Sequence, residues 1–269
     1  MENEYSSRLG YRLLLAITAL VITFLIAPLA ILVIQSFTAE SYLSFPPPSY
    51  GLRWYANVLT SADWQDSAAL SLLLACIVTP CSLAIGTMAA FGLNRGPLKG
   101  RQALYALMIS PMVLPHIVLG LGIFRIALEL NISDSMLAFV PAHLTITIPF
   151  VIITVGASLQ SFDISMEEAA QSLGASRFGA VWHVTLPIIR PGLIAGAIFS
   201  FIISFDEFII TFFLATYSRT LPLEMFSTLM FQVKPSIAAV SSLTLAVTAG
   251  LTAILMFRGQ VAGESGIIK

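Results

Sequence analysis

The sequence predicts an all-α membrane protein with about six transmembrane helices. Its 269 residues are 57% hydrophobic and only 10% charged, whereas soluble domains carry about 25% charged residues. Long runs free of Asp, Glu, Lys and Arg recur along the chain. Such runs are stable in lipid as helices, because a helix satisfies its own backbone hydrogen bonds. We expect residues 1–269 to form a single transmembrane domain.

Six segments are candidates for these helices, each reaching the ~20 mainly apolar residues that cross the hydrocarbon core. Five contain no charged residue: 13–39, 67–94, 102–124, 135–162 and 235–257. A further apolar segment, 191–218, is interrupted by Asp206 and Glu207 and is the fifth in chain order. The first segment exceeds the ~7–15 apolar residues of a secretory signal, so we expect it to be retained.

The placement of Lys and Arg predicts that both termini face the cytoplasm, because cytoplasmic loops are enriched in these residues. In that orientation nine basic residues lie inside: Arg8, Arg12, Arg95, Lys99, Arg101, Arg177, Arg190, Arg258 and Lys269. Four lie outside: Arg53, Arg125, Arg219 and Lys234. The formal net charge of −1 excludes a broad basic surface for nucleic acid.

The outer segment 38–66 predicts an extended stretch followed by a short helix. Three consecutive prolines begin at Pro46, and apolar residues then recur at helical spacing from Trp54 to Leu59. Trp and Tyr favour the membrane–water interface, so we expect this amphipathic helix to lie there as an anchor.

The inner segment 160–187 is too polar to cross a membrane, yet it is rich in helix-forming residues. We therefore expect a cytoplasmic hairpin of two short helices. Asp163 or Ser165 can cap the first helix, and Gly174 supplies the turn. Proline is tolerated at a helix start, so Pro187 and Pro191 mark the return into the bilayer.

This inner segment carries a set of residues at fixed spacing: Glu168, Ala169, Ala170, Gly174, Val184, Leu186 and Pro187. The set resembles the EAA loop of binding-protein-dependent ABC importer permeases, whose pattern is E-A-A-x3-G-x9-I-x-L-P. This chain departs from the pattern at Val184, where the family has isoleucine. The resemblance extends over nearly the whole chain and implies a type I importer permease fold.

A coupling role gives this motif a physical reason. A rigid helix that inserts into a groove of a soluble motor can transmit its motion to the membrane helices. Ala169 and Ala170 permit close packing, Glu168 offers a charge-assisted contact, and Gly174 permits a sharp turn. Leu186 and Pro187 would fix the joint with the fifth helix. An ordinary solvated amphipathic loop is the alternative.

The chain contains no G-x-x-x-x-G-K-[ST] phosphate loop, so no cofactor is expected in it and no covalent chemistry. The resemblance implies that partner subunits bind ATP and Mg. It implies two ATP-binding cassette subunits, a second and homologous permease subunit, and a periplasmic solute-binding protein, in the bacterial inner membrane.

Asp206 and Glu207 are the candidate residues of the substrate pathway. On a continuous helix from Pro191 they would lie ~22 Å along its axis. Carboxylates within the bilayer are costly, so they should face water or a partner charge. Adjacent helical residues point ~100° apart, so we expect one acid to face the pathway and the other to pair.

Two acids in the pathway favour a cationic substrate. The stretch Ser-Phe-Asp-Glu-Phe at 204–208 is similar to the spermidine/putrescine branch of the permease family. The resemblance therefore implies import of a polyamine. Other branches carry opines, iron, sulfate or thiamine, and an acid paired with an arginine across a subunit interface is a structural alternative.

The remaining polar residues offer little else. Cys76 and Cys81 are expected to be buried thiols, and His116, His143 and His183 satisfied polar groups, so no metal site is predicted. Pro111 and Pro115 in the third helix, and Pro149 in the fourth, should loosen those helices.

An ion-gradient-driven secondary transporter or channel is the rival function, with Asp206 as its cation or proton site. Such a carrier has no use for the spacing from Glu168 to Pro187. A non-transporting scaffold would leave the two acids unexplained.

Overall fold

The computed structural model describes the backbone of residues 2–264 and the side chains of residues 10–250 and 252–254. Regular structure in this part of the chain is helical, apart from one isolated bridge between Thr38 and Tyr50. The helices are α1 Glu2–Ser36, α2 Arg53–Thr60, α3 Ala62–Arg95, α4 Arg101–Ile109, α5 His116–Glu129, α6 Met136–Gln160, α7 Ser165–Ser172, α8 Arg177–Ala180, α9 Leu186–Ile188, α10 Arg190–Phe205, α11 Ile209–Leu214, α12 Leu221–Phe231 and α13 Ser236–Glu264.

The prediction of about six transmembrane helices is confirmed. Among the described residues, four segments are long and apolar enough to cross a membrane: Gly10–Ser36, Ala62–Arg95, Met136–Gln160 and Ser236–Ile254. Two bent pairs bring the number to as many as six. They are Arg101–Met112 with His116–Glu129, bent by 94°, and Arg177–Ile188 with Arg190–Phe205, bent by 72°.

The third predicted helix is broken rather than merely loosened. A 3-10 turn, Ser110–Met112, follows α4, and Pro115 immediately precedes α5. Proline has no backbone N–H and its ring clashes with the preceding turn, so two prolines four residues apart end one helix and start another. Pro149, in contrast, lies inside the continuous helix α6.

The described chain forms two compact units. The first contains the described residues up to Ala62 together with Met225–Val247. It includes α2, which confirms the short helix predicted in the outer segment. Trp54 and Val58 on one face of α2 are buried, and the Trp54 indole N–H donates to the Glu40 carbonyl oxygen at 2.7 Å.

The second unit contains Asp63–Glu224 and the described residues from Thr248 onward. Its centre is α6, which contributes to two buried apolar clusters. One includes Leu74, Phe139, Ile146 and Ile210, and the other includes Val151, Val155 and Ile189. Helix α10 packs against α6 closely, since a Cβ built on Gly192 would lie 2.7 Å from the Thr154 carbonyl oxygen.

The two cysteines of α3 are less enclosed than expected. Cys76 is exposed and Cys81 is half-buried, so the prediction that both thiols are buried is wrong. Residues five apart on a helix lie on different faces, and only some faces of α3 pack against the rest of this unit. Leu74 and Val78, which neighbour Cys76 in the sequence, take the buried positions instead.

Asp134 connects two loops of this second unit. Its carboxylate accepts the backbone N–H groups of Tyr217 at 3.0 Å and Ser218 at 3.1 Å. Partial burial of Asp134 opposes its ionisation, but these hydrogen bonds outweigh that effect and lower its pKa below the ordinary 3.8. The loop after α11 is therefore held by an ionised carboxylate.

Candidate functional site

The inner segment folds as the predicted pair of short helices. Helix α7 ends in a turn in which the Ala175 N–H donates to Ala170 O at 3.1 Å and the Gly174 N–H to Gln171 O at 3.0 Å. Gly174 has a φ of +97°, in the left-handed region that glycine adopts most easily. The turn predicted at Gly174 is confirmed, and the segment from Ser165 to Thr185 is hereafter the hairpin.

The second half of the hairpin contains an uncommon element. Helix α8 continues directly into a π-helical turn, Val181–Thr185, before α9 begins at Leu186. Single π-turns within helices are rare and are often found at functional sites. The Ser176 hydroxyl caps α8 by accepting the Gly179 N–H at 3.1 Å.

The predicted coupling residues are mostly accessible. Glu168 and Ala169 are exposed on α7, and Ala170 is half-buried. Leu186 is half-buried and Pro187 exposed at the start of α9. Asp163, which precedes α7, accepts the Ser165 N–H at 3.0 Å, and this hydrogen bond holds the Asp163 pKa below 3.8. An exposed Glu168 carboxylate on α7 can bind a cationic group of a partner.

Large apolar side chains accompany these residues on the hairpin surface. Leu173 is 91% exposed, Phe178 is 74% exposed and Trp182 is 58% exposed. The rings of Phe178 and Trp182 stack with centroids 6.1 Å apart. Apolar groups clustered this way on a polar loop are typical of a protein interaction surface.

Sequence reasoning missed the residue beside the motif, Glu167. It is the buried residue of α7, only 9% exposed. Its Oε2 atom pairs with Arg95 Nη1 and accepts the Thr185 hydroxyl at 2.7 Å. The signal that could have found it is the pair of adjacent acids, since a helix exposes one of two neighbours and turns the other ~100° away.

The second candidate site lies at a break in the fifth apolar segment. Helix α10 ends at Phe205, and α11 begins at Ile209. The prediction that Asp206 and Glu207 lie on a continuous helix is therefore wrong, and their directions do not follow from a 100° step. Backbone groups freed at such a break need other partners, which side chains supply.

The two acids differ in environment. Asp206 is exposed at the C-terminal end of α10. Glu207 is only 6% exposed: its Oε1 accepts the Ile210 N–H at 2.9 Å, and its Oε2 lies 3.3 Å from His116 Nδ1. Glu207 thus caps α11 and contacts the first residue of α5. The histidine partner was not predicted, because it lies 91 positions earlier.

His143 stabilises the same break. Its fully buried ring lies 3.0 Å from Ser204 Oγ and 3.1 Å from Thr211 Oγ1. Ser204 is near the end of α10 and Thr211 is in α11, so one imidazole on α6 connects both sides of the break. This agrees with the interpretation of His143 as a satisfied polar residue.

An acidic opening of about 510 Å³ lies beside the start of α3. Three acids and one arginine line it: Asp63, Asp66, Glu224 and Arg219. Glu224 pairs with Arg219 at 2.8 Å. In the described part of the chain no three His, Cys, Asp or Glu residues are grouped so as to hold a metal ion.

The structure separates the two predicted sites. The hairpin precedes α10, whereas Asp206 and Glu207 follow it, and sixteen residues of helix span about 24 Å. The chain connects the two sites through α9 and α10.

Comparison with known proteins identifies the family. Residues 82–262, which include the hairpin and both acids, match the model of the binding-protein-dependent transport system inner membrane component. The chain is 27% identical over 249 residues to the Escherichia coli spermidine/putrescine transport system permease protein PotC, covering 91% of this chain and 94% of that protein. It is 31% identical over 231 residues to the Escherichia coli putrescine transport system permease protein PotI, covering 83% and 82%. A probable molybdenum ABC transporter permease of Haloferax volcanii is 32% identical over 178 residues, covering 63% and 66%.

Solved structures share the fold. A chain of a bacterial ABC transporter involved in the import of alginate superposes with a TM-score of 0.74 at 16% identity, covering 93% of this chain and 96% of that one. A chain of the MetNI methionine ABC transporter superposes with a TM-score of 0.58 at 17% identity, covering 78% and 97%. With the family model matching most of the sequence, the chain belongs to the binding-protein-dependent transport system inner membrane component family and is a permease subunit of an ABC importer.

Proposed function

We propose that this permease subunit imports a small cationic solute, such as putrescine or spermidine, in a process driven by ATP hydrolysis on partner subunits. The observation that carries the proposal is the hairpin, which presents Glu168 and Ala169 to solvent beside the exposed Leu173, Phe178 and Trp182. A charged and apolar projection of this kind fits a groove on a soluble partner.

The proposed assembly has two ATP-binding cassette subunits, which hold ATP and Mg, and a second homologous permease subunit. A periplasmic solute-binding protein delivers the substrate from outside. Both termini and the hairpin face the cytoplasm in this arrangement, as the distribution of Lys and Arg favours. This chain carries no covalent step.

Two features support a cationic substrate. Asp206 offers an exposed carboxylate at the break between α10 and α11, and Glu207 is already paired with His116. The acidic opening near α3 has two carboxylates, from Asp63 and Asp66, beyond the Arg219–Glu224 pair. Carboxylates attract ammonium groups, and PotC and PotI are named for spermidine and putrescine transport.

The mechanism follows alternating access. ATP binding closes the motor, and the hairpin moves with it. The hairpin is joined to α10 through the short helix α9, and α10 then spans the ~24 Å to the break at Asp206, so displacement of the hairpin can reach that break along this path. Opening there accepts the solute, and hydrolysis restores the first state.

The test is uptake of radiolabelled putrescine into proteoliposomes that contain the complex purified with its ATPase subunits. We expect uptake that requires ATP and binding protein and is blocked by vanadate. Glu168→Arg should abolish uptake while leaving membrane insertion intact. Uptake by this chain alone, insensitive to vanadate, would favour the gradient-driven alternative and refute the proposal.

A further inference from the structure

Arg95 connects the hairpin to the transmembrane helices. It is the last residue of α3, and its guanidinium lies between two aromatic rings, 5.0 Å from the Phe91 centroid and 5.2 Å from the Phe162 centroid. Phe162 follows the end of α6. Arginine stacks well on aromatic faces, so these two rings help to hold the Arg95 guanidinium in place independently of its contact with the hairpin.

On the hairpin, Arg95 forms an ion pair with Glu167. The exposed fractions of the two side chains are 21% for Arg95 and 11% for Glu167, so the pair is largely shielded from water. Since Glu167 is the buried residue of α7, the attachment of that helix to the rest of the unit runs through its carboxylate. A shielded pair of this kind fixes one geometry, unlike a solvated surface pair.

Thr185 adds a third member to the network. Its fully buried hydroxyl donates to the same Glu167 oxygen, and it is the last residue of the π-turn. One carboxylate therefore joins α7, the π-turn and α3. Arg95 Nη2 is buried and has no hydrogen-bond partner among the described residues.

We propose that Arg95, Glu167 and Thr185 form a latch that transmits displacement of the hairpin to α3 and, through the π-turn, to α10. The inference rests on the proposed function. The three act as positioning residues: through their contacts with one another they determine whether movement of the hairpin moves the membrane helices. Without the latch, the hairpin would pivot at the π-turn and ATP would be hydrolysed with little transport.

The first experiment measures solute imported per ATP hydrolysed in the reconstituted complex. Glu167→Gln and Thr185→Val should hydrolyse ATP but lower this ratio about fivefold or more. Thr185→Ser keeps the hydroxyl and should keep the ratio. Glu129→Gln is the matched control, because its pair with Arg125 is solvated, with exposed fractions of 62% and 77%. An unchanged ratio in Glu167→Gln overturns the latch.

The second experiment uses the chain without its partners. Spin labels at Met88 on α3 and Leu173 on the hairpin, both exposed, report their separation after Cys76 and Cys81 are replaced. We expect a narrow distance distribution in the parent and in Thr185→Ser, and broad ones in Glu167→Gln and Thr185→Val. Equal widths in all four refute the latch.

The two experiments separate the two hypotheses. A wild-type complex without ATP-dependent uptake refutes the proposed function, and the spin-label distances still test the latch. Normal wild-type uptake with unchanged coupling in Glu167→Gln refutes the latch alone.

Discussion

Replacing Gly192 with alanine tests the close contact between α10 and α6. A Cβ at this position would lie 2.7 Å from the Thr154 carbonyl oxygen and would also collide with the Ser158 hydroxyl. Because the carbonyl belongs to the backbone, it cannot move aside as a side chain can. A Cβ built on Gly196, one turn later, would lie 2.9 Å from Thr154 Oγ1. Small residues four apart permit such helix approach in membranes.

The expected magnitude follows from two opposing terms. Alanine favours a helix over glycine by about 0.5–1 kcal/mol, whereas overpacking a tight contact costs about 1–3 kcal/mol. Gly122 on α5 is the matched control, because a Cβ there meets nothing within 4 Å. Gly122→Ala should therefore stabilise the chain, and the difference in unfolding free energy between the two variants should equal the overpacking cost of about 1–3 kcal/mol.

The assay is unfolding of the purified chain in mixed micelles by increasing SDS, followed by helical circular dichroism. Gly192→Ala should unfold at a lower SDS fraction than Gly122→Ala. It should also reduce import, because in the proposed mechanism α10 carries the displacement of the hairpin. Equal or greater stability of Gly192→Ala would refute the inferred contact.

Three further outcomes are expected. Glu207→Ala removes the side-chain acceptor of the Ile210 N–H, a hydrogen bond worth about 0.5–1.5 kcal/mol, so amide exchange in α11 should accelerate. Glu207→Gln retains an acceptor and should change the exchange little; identical exchange in both variants contradicts the cap. Gly174→Ala places a Cβ at a φ of +97°, which costs about 1–2 kcal/mol, so import should fall with membrane insertion intact, and full uptake would contradict this. The pKa of Asp134 is lower in the folded chain than in the unfolded chain. The ionised carboxylate therefore contributes its full stabilisation of the folded chain above about pH 5. This contribution is lost as the pH falls through 3.8 toward the lower pKa of the folded chain. Exchange of the Tyr217 amide, corrected for its intrinsic pH dependence, should then accelerate in acid, and greater protection in acid would contradict the assignment.

Local signals in the sequence were sufficient to predict the short helices of the hairpin and the turn at Gly174. The helix formers from Met166 onward, the glycine at 174 and the proline at 187 act on their own neighbours in the chain, and the turn at Gly174 formed as predicted. Helix α2 could be predicted for the same reason, because the helical spacing of its apolar residues is visible within the segment itself.

The break at the two acids could not be predicted in this way. Asp206 is exposed, whereas Glu207 is buried and contacts His116, which lies far earlier in the chain at the start of α5. His143 then connects Ser204 with Thr211 across the break, through contacts 61 and 68 positions apart. Hydropathy identifies an apolar segment but does not show whether the helix within it is continuous, so it could not predict the break between α10 and α11.

The amino-acid sequence was enough to establish the all-α membrane class, the number of apolar segments and the spacing of the motif from Glu168 to Pro187, because these depend on composition and on spacing within one helix or turn. The burial of Glu167 beside an exposed Glu168 emerged only from the folded chain, since it depends on Arg95, 72 positions away. Burial and charge pairing are set by neighbours in space, and adjacent residues of one helix face different neighbours.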